Sequence, residues 1–199
     1  MNIVLKSIAL IAPLVVSSLV PNVAKASDSD GNFALRGYGG RLCRNYIFES
    51  AEPNQADRYG SWLMGYATAY NRHQTKHFDA LPYPDGAGLF EVVSAICTDQ
   101  KDITFEAAAH EALQSLAPLR QQRPSAILTV ESGSRSLKIR QDALQLLQQR
   151  LKDLKFYSGP INGQWSSPLS ESVRNFQAKQ KIEVSGLPDL ATLIRAIVL

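Results

Sequence analysis

The sequence predicts an all-α protein: an export signal, a disulfide-bridged helical bundle and a three-helix module at the C-terminus. Three observations carry this. Apolar residues recur at helical spacing between the turns. The only two cysteines both fall in such segments. Two similar turns, Ile161-Asn162-Gly163 and Val184-Ser185-Gly186, punctuate the last third of the chain. The chain has 199 residues, 45% apolar and 20% charged, which excludes a mainly disordered state; twelve glycines and ten prolines exclude collagen-like and low-complexity classes.

Residues 1–26 read as a signal peptide. Lys6 supplies the positive start, Ile8 to Val20 the apolar middle, and Ala24-Lys25-Ala26 a small-residue cleavage site. Pro13, Ser17 and Ser18 interrupt the apolar run, which falls short of the roughly 20 residues needed to span a bilayer. Cleavage is expected after Ala26, giving a soluble periplasmic protein with no stable membrane insertion.

Charge divides the remainder. Ser27 to Leu119 holds seven Lys/Arg against twelve Asp/Glu, and Arg120 to Leu199 twelve against six. This predicts two domains, 30–119 and 136–199, joined by a polar linker over 120–135 that includes Arg123-Pro124 and Glu131-Ser-Gly-Ser-Arg135. The basic residues are spread over helix surfaces with no recognition motif, so nucleic acid is not an expected partner. An anionic wall or headgroup surface accounts for the charge.

In the first domain Leu42, Cys43, Tyr46 and Ile47 form a short stripe. Tyr59, Trp62, Leu63, Tyr66 and Tyr70 form a longer one at i, i+3, i+4, i+7 and i+11; Leu89, Val93, Ile96 and Cys97 form a third. The fourth helix opens at Thr104 as N-cap, buries Phe105, Ala109, Ala112 and Leu116, and ends at Pro118. His77 to Gly88 reads as a loop from its Pro, Gly and Asp content.

Two cysteines in an exported chain predict a Cys43–Cys97 disulfide tying the first helix to the third. Neither has flanking residues that would activate a nucleophile. His73 and His77 have the i, i+4 spacing of a zinc pair if the helix continues past Asn71, but Gln74 stands where a zincin needs Glu, so no metal or cofactor is expected. Glu49 and Glu52 form no convincing acid–base pair, and no complete catalytic set is present. The order Leu42-Cys43-Arg44-Asn45-Tyr46, Trp62-Leu-Met-Gly-Tyr66, Ile96-Cys97 and an Ala-rich helix resembles small exported one-disulfide proteins. These are HdeA-type acid-stress chaperones and periplasmic immunity proteins of type VI secretion. The resemblance implies a non-enzymatic domain that contacts a periplasmic protein.

The second domain opens with a helix carrying Ile139, Ala143, Leu147, Leu151 and Leu154 on one face, ended by Ser158-Gly159-Pro160. Ser167 as N-cap and Pro168 open a second helix, Ser167 to Gln180, with Val173 and Phe176 inward; a third runs from Leu190. Leu147-Gln148, Phe156-Tyr-Ser-Gly-Pro-Ile-Asn-Gly-Gln-Trp165, Ser172-Val-Arg-Asn-Phe-Gln177, Val184-Ser-Gly186 and Thr192 resemble the peptidoglycan-binding module of the PG_binding_1 type over about Ile139 to Val198. Asn162 and Ser185 stand where that family usually has Asp, Trp165 replaces Phe, Ser166 replaces Gly and Leu169 replaces Thr.

The resemblance implies a peptidoglycan ligand. Tyr157 and Trp165 offer flat apolar faces, Asn162, Gln164 and Gln177 offer amides, and Arg174 can pair with a stem-peptide carboxylate. The expected function is a non-catalytic exported protein whose C-terminal module holds the first domain near the wall on a flexible linker. The alternatives are a chaperone-like or immunity-like protein binder without wall affinity, and an accessory wall hydrolase.

Overall fold

The computed structural model describes residues 27–199. The expected signal peptide and its cleavage site lie outside the described residues. Among these residues no helix is long and apolar enough to cross a membrane. Residues 27–34 belong to a separate unit from Leu35–Leu199. In it, the Asp28 carboxylate accepts from the backbone N–H groups of Asn32 and Asp30 at 2.7 and 3.0 Å, and these bonds lower its pKa.

The first stripe forms α1, Cys43–Glu49, which buries Cys43 and Tyr46 but leaves Ile47 and Phe48 in solvent. The second forms α2, Pro53–His73, with Tyr59, Leu63 and Ala67 inward. The third forms α3, Ala87–Asp99. In α4, Phe105–Ser115, the Thr104 hydroxyl caps the helix by accepting from Ala107 N at 3.1 Å. Pro118 lies in a tight turn beyond it, Ala117–Leu119. Tyr46, Tyr59 and Phe105 meet with ring centroids 4.8–5.0 Å apart, at edge-on or tilted angles. The Cys43–Cys97 disulfide is formed, with 4.8 Å between the Cα atoms. It joins α1 to α3 as expected.

Residues 120–135, expected as a flexible linker, instead contain strand β1, Ile127–Ser132, paired antiparallel with β2, Arg135–Arg140. Leu128 faces Ile139 and Val130 faces Leu137 across the ladder, so all four lie on one face, and Val130 and Ile139 are completely buried. Gly133 takes φ +62° at the first central position of the two-residue turn, where glycine is favoured. Among the described residues this hairpin is the only sheet beside the helices.

Ile139 is therefore a strand residue, and α5 runs Gln141–Asp153, burying Ala143, Leu144, Leu147, Gln148 and Leu151. Leu154, expected inward, caps the helix and is half exposed. α6 is Ser167–Gln180, as expected, but its N-cap is Ser166, whose hydroxyl accepts from Leu169 N, so Pro168 stands one position further in. The chain ends in α7, Leu190–Leu193, capped by Asp189 and widened over Ile194–Val198.

Leu35–Leu199 is one compact unit. The Arg140 guanidinium donates to Asp79 Oδ2 at 2.7 and 3.2 Å in a largely buried pair, and Arg140 N donates to Pro82 O. The Tyr83 hydroxyl donates to Pro188 O at 2.6 Å, with burial raising its pKa well above the ordinary tyrosine value. Leu190 packs on Gly88, where a Cβ would lie 3.2 Å from both its methyl groups. Residues 79–88, which lie within the loop expected from sequence and include the first two residues of α3, thus lock the first segment onto the second, because their backbone and aromatic groups are satisfied there.

Candidate functional site

Two buried glutamines shape the C-terminal turns. Gln148 on α5 accepts from Asn162 N and Gly163 N at 2.9 and 2.7 Å, and its Nε2 donates to Gln164 O at 3.0 Å. Gly163 takes φ +69° there, and a Cβ at that position would collide with Gln141. Gln177 on α6 accepts from Gly186 N at 2.8 Å, and its Nε2 lies 2.7–3.0 Å from Thr192 Oγ1, Ser185 Oγ and Leu187 O. Asn162 Oδ1 accepts from Gln164 N within the first turn. Ser185 is buried and donates to Asp189. The two substitutions of Asp in the turns thus preserve turn bonds.

The expected ligand residues separate accordingly. Gln177 is completely buried and its carboxamide is fully engaged, so it fixes the second turn and offers nothing to a ligand. Tyr157 is also an internal residue, 7% exposed, with its hydroxyl donating to Pro160 O at 3.1 Å. It closes the segment before the first turn. The Asn162 and Gln164 side chains are exposed on that turn. Trp165 and Arg174 are half-buried and come together in one groove.

That groove, of about 440 Å³, lies between the hairpin turn and the start of α6. Glu131, Ser132 and Gly133 form one wall; Trp165, Ser166, Ser170 and Arg174 form the other. The Trp165 indole N–H donates to Glu131 O at 3.0 Å, which fixes the ring. Arg174 Nη2 donates to Ser132 Oγ at 2.7 Å, while its Nη1 makes only a long contact, 3.5 Å, with Glu171. Ser170 Oγ donates to Gly186 O, bringing the second turn under the groove. The Arg174 side chain remains 40% exposed, so donors stay open to an anionic or carbonyl-bearing ligand. The hairpin wall was missing from the sequence reading, although alternating Leu128, Val130, Leu137 and Ile139 around Ser-Gly-Ser carried its signal.

Elsewhere the histidines do not converge. α2 stops at His73, and His77 lies beyond it with its Nε2 2.8 Å from Asn71 Oδ1. Among the described residues no group of three or more His, Cys, Asp or Glu is placed to hold a metal. Glu49 pairs with Arg41 and accepts from the Tyr59 hydroxyl, whose pKa is raised by burial and then by that carboxylate.

Residues 140–195 match the family described as "Putative peptidoglycan binding domain". Neither curated proteins nor solved structures gave a significant match. The matched segment spans α5, both glutamine-clamped turns, α6 and the start of the last helix, and leaves out the hairpin except for Arg140 at its end.

Proposed function

We propose that the protein binds peptidoglycan through the groove beside α6, with Trp165 and Arg174 as principal contacts and Asn162 and Gln164 on the adjoining turn. The observation that carries this reading is the family match over 140–195, whose turns are fully hydrogen bonded in the structure. Wall sugars and peptides present apolar ring faces, amides and carboxylates. Indole, serine hydroxyl and guanidinium groups are the types that recognise them. The role is non-catalytic and exported; the disulfide, a bond that persists in oxidising compartments, supports a periplasmic location.

The test is co-sedimentation of residues 27–199 with insoluble sacculi at two salt concentrations. Residues 27–199 are kept together because the module packs against the first segment. Saturable pelleting that survives salt and falls at least tenfold in Trp165→Ala and Arg174→Ala supports the reading, since adsorption by net charge alone is screened. Pelleting abolished by salt, or unchanged in both variants, rejects it.

A second reading is contact with a protein through the first segment. Phe48 is 84% exposed and Ile47 40% on the same short helix, which favours an apolar contact there. Recovery of one defined periplasmic protein by the unsubstituted chain but not by Phe48→Ser tests it.

A further inference from the structure

We infer that the hairpin turn Glu131–Gly133, outside the matched segment, completes a subsite for a ligand carboxylate by positioning Arg174; this rests on the peptidoglycan reading above. Ser132 is the positioning residue. Its Oγ holds Arg174 Nη2 at 2.7 Å, and a Cβ on Gly186 would lie 2.7 Å from both Ser132 Oγ and Arg174 Nε. Three segments therefore meet around one guanidinium: the hairpin turn, α6 and the second clamped turn.

The position has consequences for chemistry. An arginine on a helix surface samples many rotamers and gives up that freedom when it binds. Here one Nη is held and Nε is backed by Gly186, so the other edge is presented with its direction set. Two acidic groups stand nearby. Glu171, 64% exposed, makes the long contact with Nη1, and Glu131 lies on the opposite wall with its carbonyl engaged by Trp165. A ligand carboxylate approaching Nη1 displaces a weak contact and keeps the strong one to Ser132. The indole beside it accommodates the apolar part of the same ligand, and Ser166 and Ser170 furnish the polar floor.

The geometry makes the hairpin a determinant of ligand choice. The experiment compares pelleting of residues 27–199 on native sacculi and on sacculi whose carboxyls have been converted to methylamides with carbodiimide and methylamine. Lys179→Ala, exposed on α6 away from the groove, corrects for bulk charge. The unsubstituted chain and Lys179→Ala should prefer native sacculi, and Arg174→Ala should show no preference. Ser132→Ala should lose roughly fivefold of the preference, the order expected when one side chain must be ordered on binding. Ser132→Thr, which keeps the hydroxyl, should retain it.

Equal preference in Ser132→Ala and the unsubstituted chain, with Arg174→Ala still impaired, overturns the hairpin's role and leaves the wall reading standing. Equal binding to native and amidated sacculi by the unsubstituted chain overturns the carboxylate subsite alone. No pelleting of the unsubstituted chain on either material overturns the peptidoglycan reading and the subsite with it.

Discussion

Gln148 and Gln177 are equivalent residues: each is a completely buried carboxamide on one helix whose oxygen accepts from the glycine N–H of a following turn, Gly163 at 2.7 Å and Gly186 at 2.8 Å. The similarity of Ile161-Asn-Gly and Val184-Ser-Gly in sequence is thus a similarity of clamps. Gln177→Ala strands the Gly186 N–H in the interior and removes the amide donor from Thr192 Oγ1 and Leu187 O. It should lower unfolding free energy by about 3 kcal/mol, since each orphaned buried group costs roughly 1–3 kcal/mol. Urea denaturation measures this; a variant of unchanged stability that loses only wall binding would restore Gln177 as a ligand residue.

Residues 35–199 should unfold in one transition. Arg140 and Asp79 join the two halves in a pair whose side chains are only 12% and 15% exposed, and removing one partner leaves a charge stranded. Arg140→Met should lower stability by about 3 kcal/mol, the order seen when one member of a buried pair is lost. Calorimetry gives the number of transitions. Two resolved melts in the unsubstituted chain would contradict a single cooperative body.

Opening the Cys43–Cys97 bridge frees a loop with a sequence separation of 54 residues. The chain-entropy relation gives about 4 kcal/mol for a loop of that size. Guanidinium midpoints with and without reductant should differ accordingly, and equal midpoints would mean the helices hold α1 and α3 together unaided.

His77 makes stability depend on pH. Burial first, and the Arg120 charge second, lower its pKa from the ordinary 6.5, with Asp79 opposing them. The hydrogen-bond network assigns the proton to Nε2, facing Asn71 Oδ1, and leaves Nδ1 buried without a partner. Protonation would place a donor at that unsatisfied position. Because the folded pKa is the depressed one, the contribution is fully present above 6.5 and is lost as pH falls from there toward the folded value. Melting curves from pH 7.5 to 5 should show a loss that His77→Gln abolishes.

Lys181 ends α6 in the left-handed region, at φ +57°, where a side chain is disfavoured. Lys181→Gly should raise stability by about 0.5 kcal/mol, a small gain because glycine also loses more backbone entropy on folding. Thermal melts of the paired proteins check it.

Helices were legible wherever the stripe was long. Tyr59 and Leu63 of α2, and Val173 and Phe176 of α6, are buried as their stripes place them, while Trp62, Tyr66 and Tyr70 of the same α2 stripe are half-buried and Ala67 joins the core in their stead. The disulfide followed from cysteine number and expected compartment. Less was legible where tertiary contact overrides local pattern. Ile139 fits the register of α5 as well as that of β2, and only pairing with Leu128 decides between them. Gln177 and Tyr157 carry ligand-like chemistry, yet the turns consume it. Trp165 and Arg174 were identifiable as residue types, but their common groove needs Ser132, far away in sequence and hidden in a stretch that reads as spacer.

The fused loop and hairpin also change what attachment would mean mechanically. A domain on a slack leash sweeps a volume and gains encounters through raised local concentration. Here the Tyr83–Pro188 and Arg140–Asp79 contacts act as a bracket, not a leash. With a wall strand seated beside α6, the apolar tip at Phe48 would hold a set bearing and height above it. A partner would be selected by where its own surface stands relative to the wall, as well as by what that surface is made of.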